Sequence, residues 1–121
     1  MKYQPQTSEG EIVKKDYSKR IIFPLSDFAQ KGHLLQIVTI PPQTKQRMHS
    51  HQIQTEVYYI LEGETVIAIN GTDYVAKPGD AFITEPGDVH NLWNKTETDF
   101  KLLVFKIDMP ENSDDTHWHE A

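Results

Sequence analysis

The 121-residue chain contains no cysteine. Disulfides, thiolate-bound zinc and iron–sulfur clusters are therefore excluded, and the redox compartment is left open. Basic residues are scarce as well: 12 Lys and Arg stand against 18 Asp and Glu, a formal charge of -6. Surfaces that bind nucleic acid usually show a basic stripe. The densest basic cluster, Lys14, Lys15, Lys19 and Arg20, is diluted by Glu11 and Asp16, so no nucleic-acid partner is expected. No apolar run approaches the ~20 residues of a membrane-spanning helix, and Met1 to Gln6 carry no apolar core of a secretion signal. The expectation is a soluble, cytoplasmic protein without a membrane partner.

Long helical patterns are also missing. The chain instead interrupts itself every few residues with Pro, Gly or Asn. Short runs rich in Val, Ile, Tyr, Phe and Thr lie between the interruptions: 20–23, 33–40, 56–61, 64–69, 72–76, 81–84, 89–93 and 100–107. Each is too short for a stable helix and reads as a strand. Asn70-Gly71 is a strong hairpin signal, because both central residues of a type I′ turn need positive φ. Lys77-Pro78-Gly79-Asp80 and Glu85-Pro86-Gly87-Asp88 read as type II turns. Only 25–30 reads as a helical turn. Many short strands at even spacing argue an all-β sandwich or barrel. The division expected is an N-terminal arm over 1–19, a barrel over 20–108 and a polar, poorly packing tail over 109–121.

Met48-His49-Ser50-His51 lies in this β-rich context. Residues i and i+2 share a face in a strand and diverge in a helix. The imidazoles of His49 and His51 should therefore project side by side and chelate one ion. Glu56 has the wrong parity for that face of an unbroken strand, so 52–55 must turn or bulge before Glu56 points inward. His90 follows the Pro86-Gly87 turn on a later strand. Three imidazoles and a carboxylate suit one divalent transition metal, Mn, Fe, Ni, Zn or Cu, and disfavour Mg or Ca. Four ligands on an octahedral ion leave two positions open for water, substrate or dioxygen.

Other residues carry weaker signals. Tyr58, two residues past Glu56, should aim into the same cavity and is the candidate catalytic side chain. The same parity places Leu92 and Asn94 with His90 and turns Trp93 outward. Lys101 and Lys106 are five apart and cannot both face inward; solvated lysine is the plainer reading of either. His33 reads as a surface residue. His117-Trp118-His119 repeats the His-x-His spacing, but in a tail with nothing to hold it.

His49-x-His51-x4-Glu56-x6-Gly63 resembles the first motif of the cupins, and Gly79 with Pro86-Gly87-x2-His90-x3-Asn94 resembles the second. The 15 residues between Gly63 and Gly79 are similar to the short intermotif spacing of small microbial cupins. Two turn positions depart from the pattern: Gln43 stands where the family usually has Gly, and Glu85 where it usually has Pro. The resemblance implies a cupin-type jelly-roll β-barrel, a double-stranded β-helix, with His49, His51, Glu56 and His90 around one metal. It implies a metal-dependent enzyme on a small polar molecule, of dioxygenase or isomerase/epimerase type. The alternative is a non-catalytic protein whose metal anchors a sugar or acid. The strand 33–40 is apolar at both parities, as expected of a strand covered on both sides. A homodimer, or the arm, would supply that cover.

Overall fold

The computed structural model describes residues 1–7, 9–111 and 114–120. Two antiparallel sheets face each other across a barrel. The first contains β1 (Glu11–Val13), β2 (Ser18–Phe23), β3 (Leu34–Ile40), β6 (Thr55–Glu62), β9 (Ala81–Thr84) and β11 (Phe100–Ile107), in the order β1-β2-β3-β11-β6-β9. The second is built from β4 (Thr44–Lys45), β5 (His49–His51), β7 (Thr65–Ile69), β8 (Thr72–Ala76), β10 (His90–Asn94) and β12 (Thr116–Trp118). Its order is β12-β5-β10-β7-β8, with β4 also on β10. A single 3-10 turn, Leu25–Asp27, is the only helical element among the described residues. No helix among them is long and apolar enough to cross a membrane. This is the jelly-roll barrel that the two motifs imply.

Alternation along the strands fills the interior. On β3, Leu34, Gln36, Val38 and Ile40 are buried while the residues between them are half-buried. Across from them β11 turns Phe100, Leu102 and Val104 inward, and β6 turns Glu56, Tyr58 and Ile60 inward. The registers Phe100↔Ile40 and Leu102↔Ile60 join these rows into an apolar core at one end. The registers Lys106↔Glu56 and Lys106↔Leu34 end the same rows in charge at the other end. One barrel thus has a dry end, which supplies the burial energy, and a polar end.

The turns follow their residues. Asn70 and Gly71 have φ of 50° and 83°, as a type I′ hairpin requires. Gly63 is needed for space as well as conformation: a Cβ there would lie 2.7 Å from the Asp99 carbonyl oxygen. Gln43 takes the left-handed conformation, φ 54°, that glycine adopts without cost. Its side-chain amide donates to the carbonyls of Lys95 and Thr96 at 2.8 and 3.2 Å, bonds that offset the strain.

Three expectations change. The sheet begins before residue 20, because β1 and the start of β2 pair from Glu11 onward. The stretch 109–121 is not loose where it is described: β12 adds to β5 through Thr116↔His51 and Trp118↔His49. Within those two segments, residues 8, 112, 113 and 121 lie outside the described residues. His33 is half-buried rather than free on the surface, for it stacks on Phe105 with centroids 5.6 Å apart and packs against Phe28 at 5.8 Å.

Candidate metal centre

β5 projects His49 and His51 from one face, as strand parity demands, while Ser50 faces the other way and hydrogen-bonds with His119 Nε2 at 2.8 Å. A bend over 52–54 then carries the chain from β5 in the second sheet to β6 in the first and brings Glu56 inward. His90 opens β10 directly opposite His49. One donor atom from each of His49, His51, Glu56 and His90 lies within 4.8 Å of the others, and all four residues are buried. Among the described residues this is the only group of three or more such side chains that could hold an ion.

The tautomers are fixed from outside. His49 Nδ1 donates to the Arg47 carbonyl at 2.9 Å, His51 Nδ1 to the Asp115 carbonyl at 3.1 Å, and His90 Nδ1 to the Asp88 carbonyl at 2.9 Å. A carbonyl only accepts, so each Nδ1 carries the hydrogen and each Nε2 presents a lone pair to the cavity. His51 Nε2 consequently sits 2.7 Å from Glu56 Oε1 and is buried without an aligned hydrogen-bond partner. In the neutral tautomer that lone pair faces a carboxylate, which is repulsive unless a proton on Nε2 or a metal cation lies between them. Tyr58 meets the same problem: its one hydroxyl proton faces Glu56 Oε1 and His90 Nε2, each at 3.0 Å. The donor set therefore fits a divalent transition ion.

The electrostatics agree. Burial pushes the His49 imidazole from its ordinary 6.5 down to about 4, and His90 beside it adds to the effect. Burial also opposes a charge on His51, but its contact with Glu56 outweighs that and raises it. Burial would raise the Glu56 carboxyl; the two neighbouring histidines instead hold it well below the usual range. Burial and Glu56 together push the Tyr58 phenol well above 10.0.

These shifts set the acid limit of the metal-free protein. Below pH 6.5 the unfolded chain takes up a proton at His49 that the folded protein refuses until about 4. The contribution of neutral His49 is intact above 6.5 and lost as pH falls towards 4, a loss of ~3 kcal/mol. Glu56 acts in the same direction below its ordinary 4.5, whereas raised His51 loses its contribution as pH rises. Between pH 7 and 5 the urea midpoint of the metal-free protein should drop relative to that of His49→Gln. Equal slopes would remove His49 from the account.

The surroundings include residues that spacing does not reveal. Asp115 accepts the backbone N–H groups of Gln52, Ile53 and Gln54 at 3.1, 2.9 and 2.9 Å, clamping the turn between two metal-site residues. Trp118 lies against His49, centroids 5.3 Å apart, with the Arg47 guanidinium 3.8 Å above its ring. Arg47 is held by Asp16 through its backbone N–H at 2.7 Å and Nε at 3.2 Å. Asn70 of the hairpin holds the turn before His90, donating to Asp88 and accepting from Val89 N–H, both at 2.9 Å. Leu92 and Tyr58 line the cavity as parity predicts, and so does Lys106. Asn94 does not: wholly buried, it donates to the carbonyls of Ile40, Pro41 and Thr98 and ties β10 to β3. Lys101 lies on the outer side, and Trp93 is exposed.

Comparison with known proteins agrees with this geometry. The chain matches the cupin domain family over residues 36–106. No curated protein matches it. A predicted oxalate decarboxylase from Thermotoga maritima is 31% identical, with 78% of this chain and 82% of that one covered and a TM-score of 0.71. The polyketide cyclase RemF from Streptomyces resistomycificus is 18% identical, with 100% and 87% covered and a TM-score of 0.82. A sugar phosphate isomerase of the cupin superfamily from Silicibacter pomeroyi is 21% identical, with 78% and 61% covered and a TM-score of 0.65. The match spans more than half of the chain and contains all four residues of the site, and the chain belongs to the cupin family.

Proposed function

We propose that the protein is a metal-dependent enzyme acting on a small polar molecule, with His49, His51, Glu56 and His90 holding one divalent transition ion. The observation that carries this reading is the Tyr58 hydroxyl, 3.0 Å from both Glu56 and His90 inside the cavity. A passive anchor needs ligands only; a reaction centre also needs a proton donor or acceptor within reach. Kept neutral by burial and by Glu56, Tyr58 retains its proton and can donate a hydrogen bond.

The bound ion would supply Lewis acidity, or reactivity towards dioxygen if it is redox-active. The rest is the work of the chain. Three backbone carbonyls hold the imidazoles in one tautomer, and Glu56 offsets half of the ion's charge. Leu92, Leu102 and Val104 line the cavity and limit water, and Tyr58 donates a hydrogen bond where negative charge grows on the substrate. Stabilisation of that charge suits an isomerase, epimerase or lyase, and that form is favoured over a dioxygenase. One similar protein is described as a predicted oxalate decarboxylase and another as a sugar phosphate isomerase, which supports the preference.

Elemental analysis of the purified protein, followed by a turnover screen of small hydroxy acids, sugar phosphates and diketones, tests the reading. Tyr58→Phe should keep its metal and its fold and lose about 100-fold or more in turnover. If metal-loaded wild type turns over nothing in the screen, yet binds one of the compounds tightly, the protein is a binder and the enzyme reading falls.

A further inference from the structure

Two lysines share the cavity with the metal centre. Lys106 is the direct cross-strand partner of Glu56. Lys19 pairs with Val38 across β2 and β3, and its ammonium is disfavoured by burial and by Lys106. Both line the cavity, and neither makes an ion pair among the described residues. Between them stands Gln36. It is opposite Ile21 on β2 and Val104 on β11, which places each lysine on its diagonal, about 7–8 Å away. Gln36 is only 4% exposed, it lines the same cavity, and its amide oxygen has no hydrogen-bond partner.

Such a group is costly to leave as it is. An unpartnered buried amide loses its hydration without return, and two like charges near each other repel. The carboxylates close by have other partners. Asp16 binds Arg47 through one oxygen, Asp114 accepts the Thr116 N–H, Asp115 caps the 52–54 turn, and Glu56 faces the imidazoles. A divalent ion with Glu56 as its one anionic ligand would leave the cavity more positive still.

We propose that Lys19, Lys106 and Gln36 form a carboxylate-binding subsite, so that the substrate is a small acid with a carboxylate on the lysines and its reacting oxygen at the metal centre. This rests on the metal-enzyme reading above. Both ammonium groups supply charge, and the Gln36 amide supplies a directed hydrogen bond. The cavity of about 50 Å³ limits the size of the acid. So small a space favours an acid of a few carbons over a sugar phosphate.

The test is calorimetric titration of metal-loaded protein with malonate, and with its monoamide malonamate as the control lacking one charge. Lys19→Met and Lys106→Met should each bind malonate at least tenfold more weakly, and Lys19→Arg should recover most of the loss. Malonamate keeps one carboxylate for the lysines, so it should bind wild type more weakly than malonate and still lose affinity in both variants. Metal content in the variants should be unchanged or higher, since a repelling charge has been removed. Malonate binding equal to wild type in both fully metal-loaded methionine variants would overturn the subsite and leave the metal centre standing. Wild type that takes up no metal would instead overturn the reading beneath it.

Discussion

Replacing His51 with alanine should weaken the divalent ion by more than the roughly 10–100-fold that loss of an outer hydrogen-bond partner costs, because a donor itself is removed. His49→Ala and His90→Ala should behave alike. All three should remain folded, since the apolar core around Ile40, Ile60 and Phe100 lies at the opposite end of the barrel. Chelator competition measures the affinity and circular dichroism the fold. His33→Ala is the informative control. It should leave the metal untouched but cost about 1–3 kcal/mol of stability, because His33 packs between Phe28 and Phe105. Equal metal loss from His33→Ala would move the site away from the four residues.

Asp115→Ala should produce the largest combined effect of any residue outside the donor set. Its carboxylate accepts three consecutive backbone N–H groups, of Gln52, Ile53 and Gln54. Burial alone would raise this carboxyl, but those three donors hold it below its ordinary value. Each charge-assisted bond contributes about 1.5–3 kcal/mol, so a drop of several kcal/mol in denaturant stability is expected. The 52–54 turn sets the offset between His51 and Glu56, so metal affinity should fall with it, by about tenfold or more. Asp115→Asn keeps the oxygen acceptor without the charge and should recover part of both losses. Lost stability with metal affinity unchanged would show that the turn does not position the ligands.

The sequence carried the second half of the barrel almost to the residue. The runs 72–76, 81–84 and 100–107 coincide with β8, β9 and β11; Gly and Pro flank the first two, where local turn chemistry sets the ends. The donor set was equally legible. His49 and His51 follow from strand parity, and Glu56 from the need for a turn. β12 was not legible, since nothing in an acidic stretch states that a distant turn has three N–H groups in want of an acceptor. Pairing over |i−j| of 61 to 63 is a tertiary fact. The choice between Lys101 and Lys106 was closed for the same reason. Parity allows either to face inward, and only the register with Glu56 selects Lys106. Gln43 shows the reverse case, where a family glycine is absent and its backbone conformation persists.

The contribution of β12 also orders events during synthesis. All four donor residues have been made once His90 has been added, yet the carbonyl that orients His51 and the carboxylate that fixes its turn belong to residue 115. A nascent chain that displays His49 to His90 therefore has its donors without their frame, and domains fold as units while the chain emerges. In the proposed metal enzyme, ions met at that stage would encounter flexible side chains that discriminate poorly among transition metals. Discrimination by geometry would begin when β12 docks on β5, and the ion retained would reflect the pool present after residues 115–118 have left the ribosome.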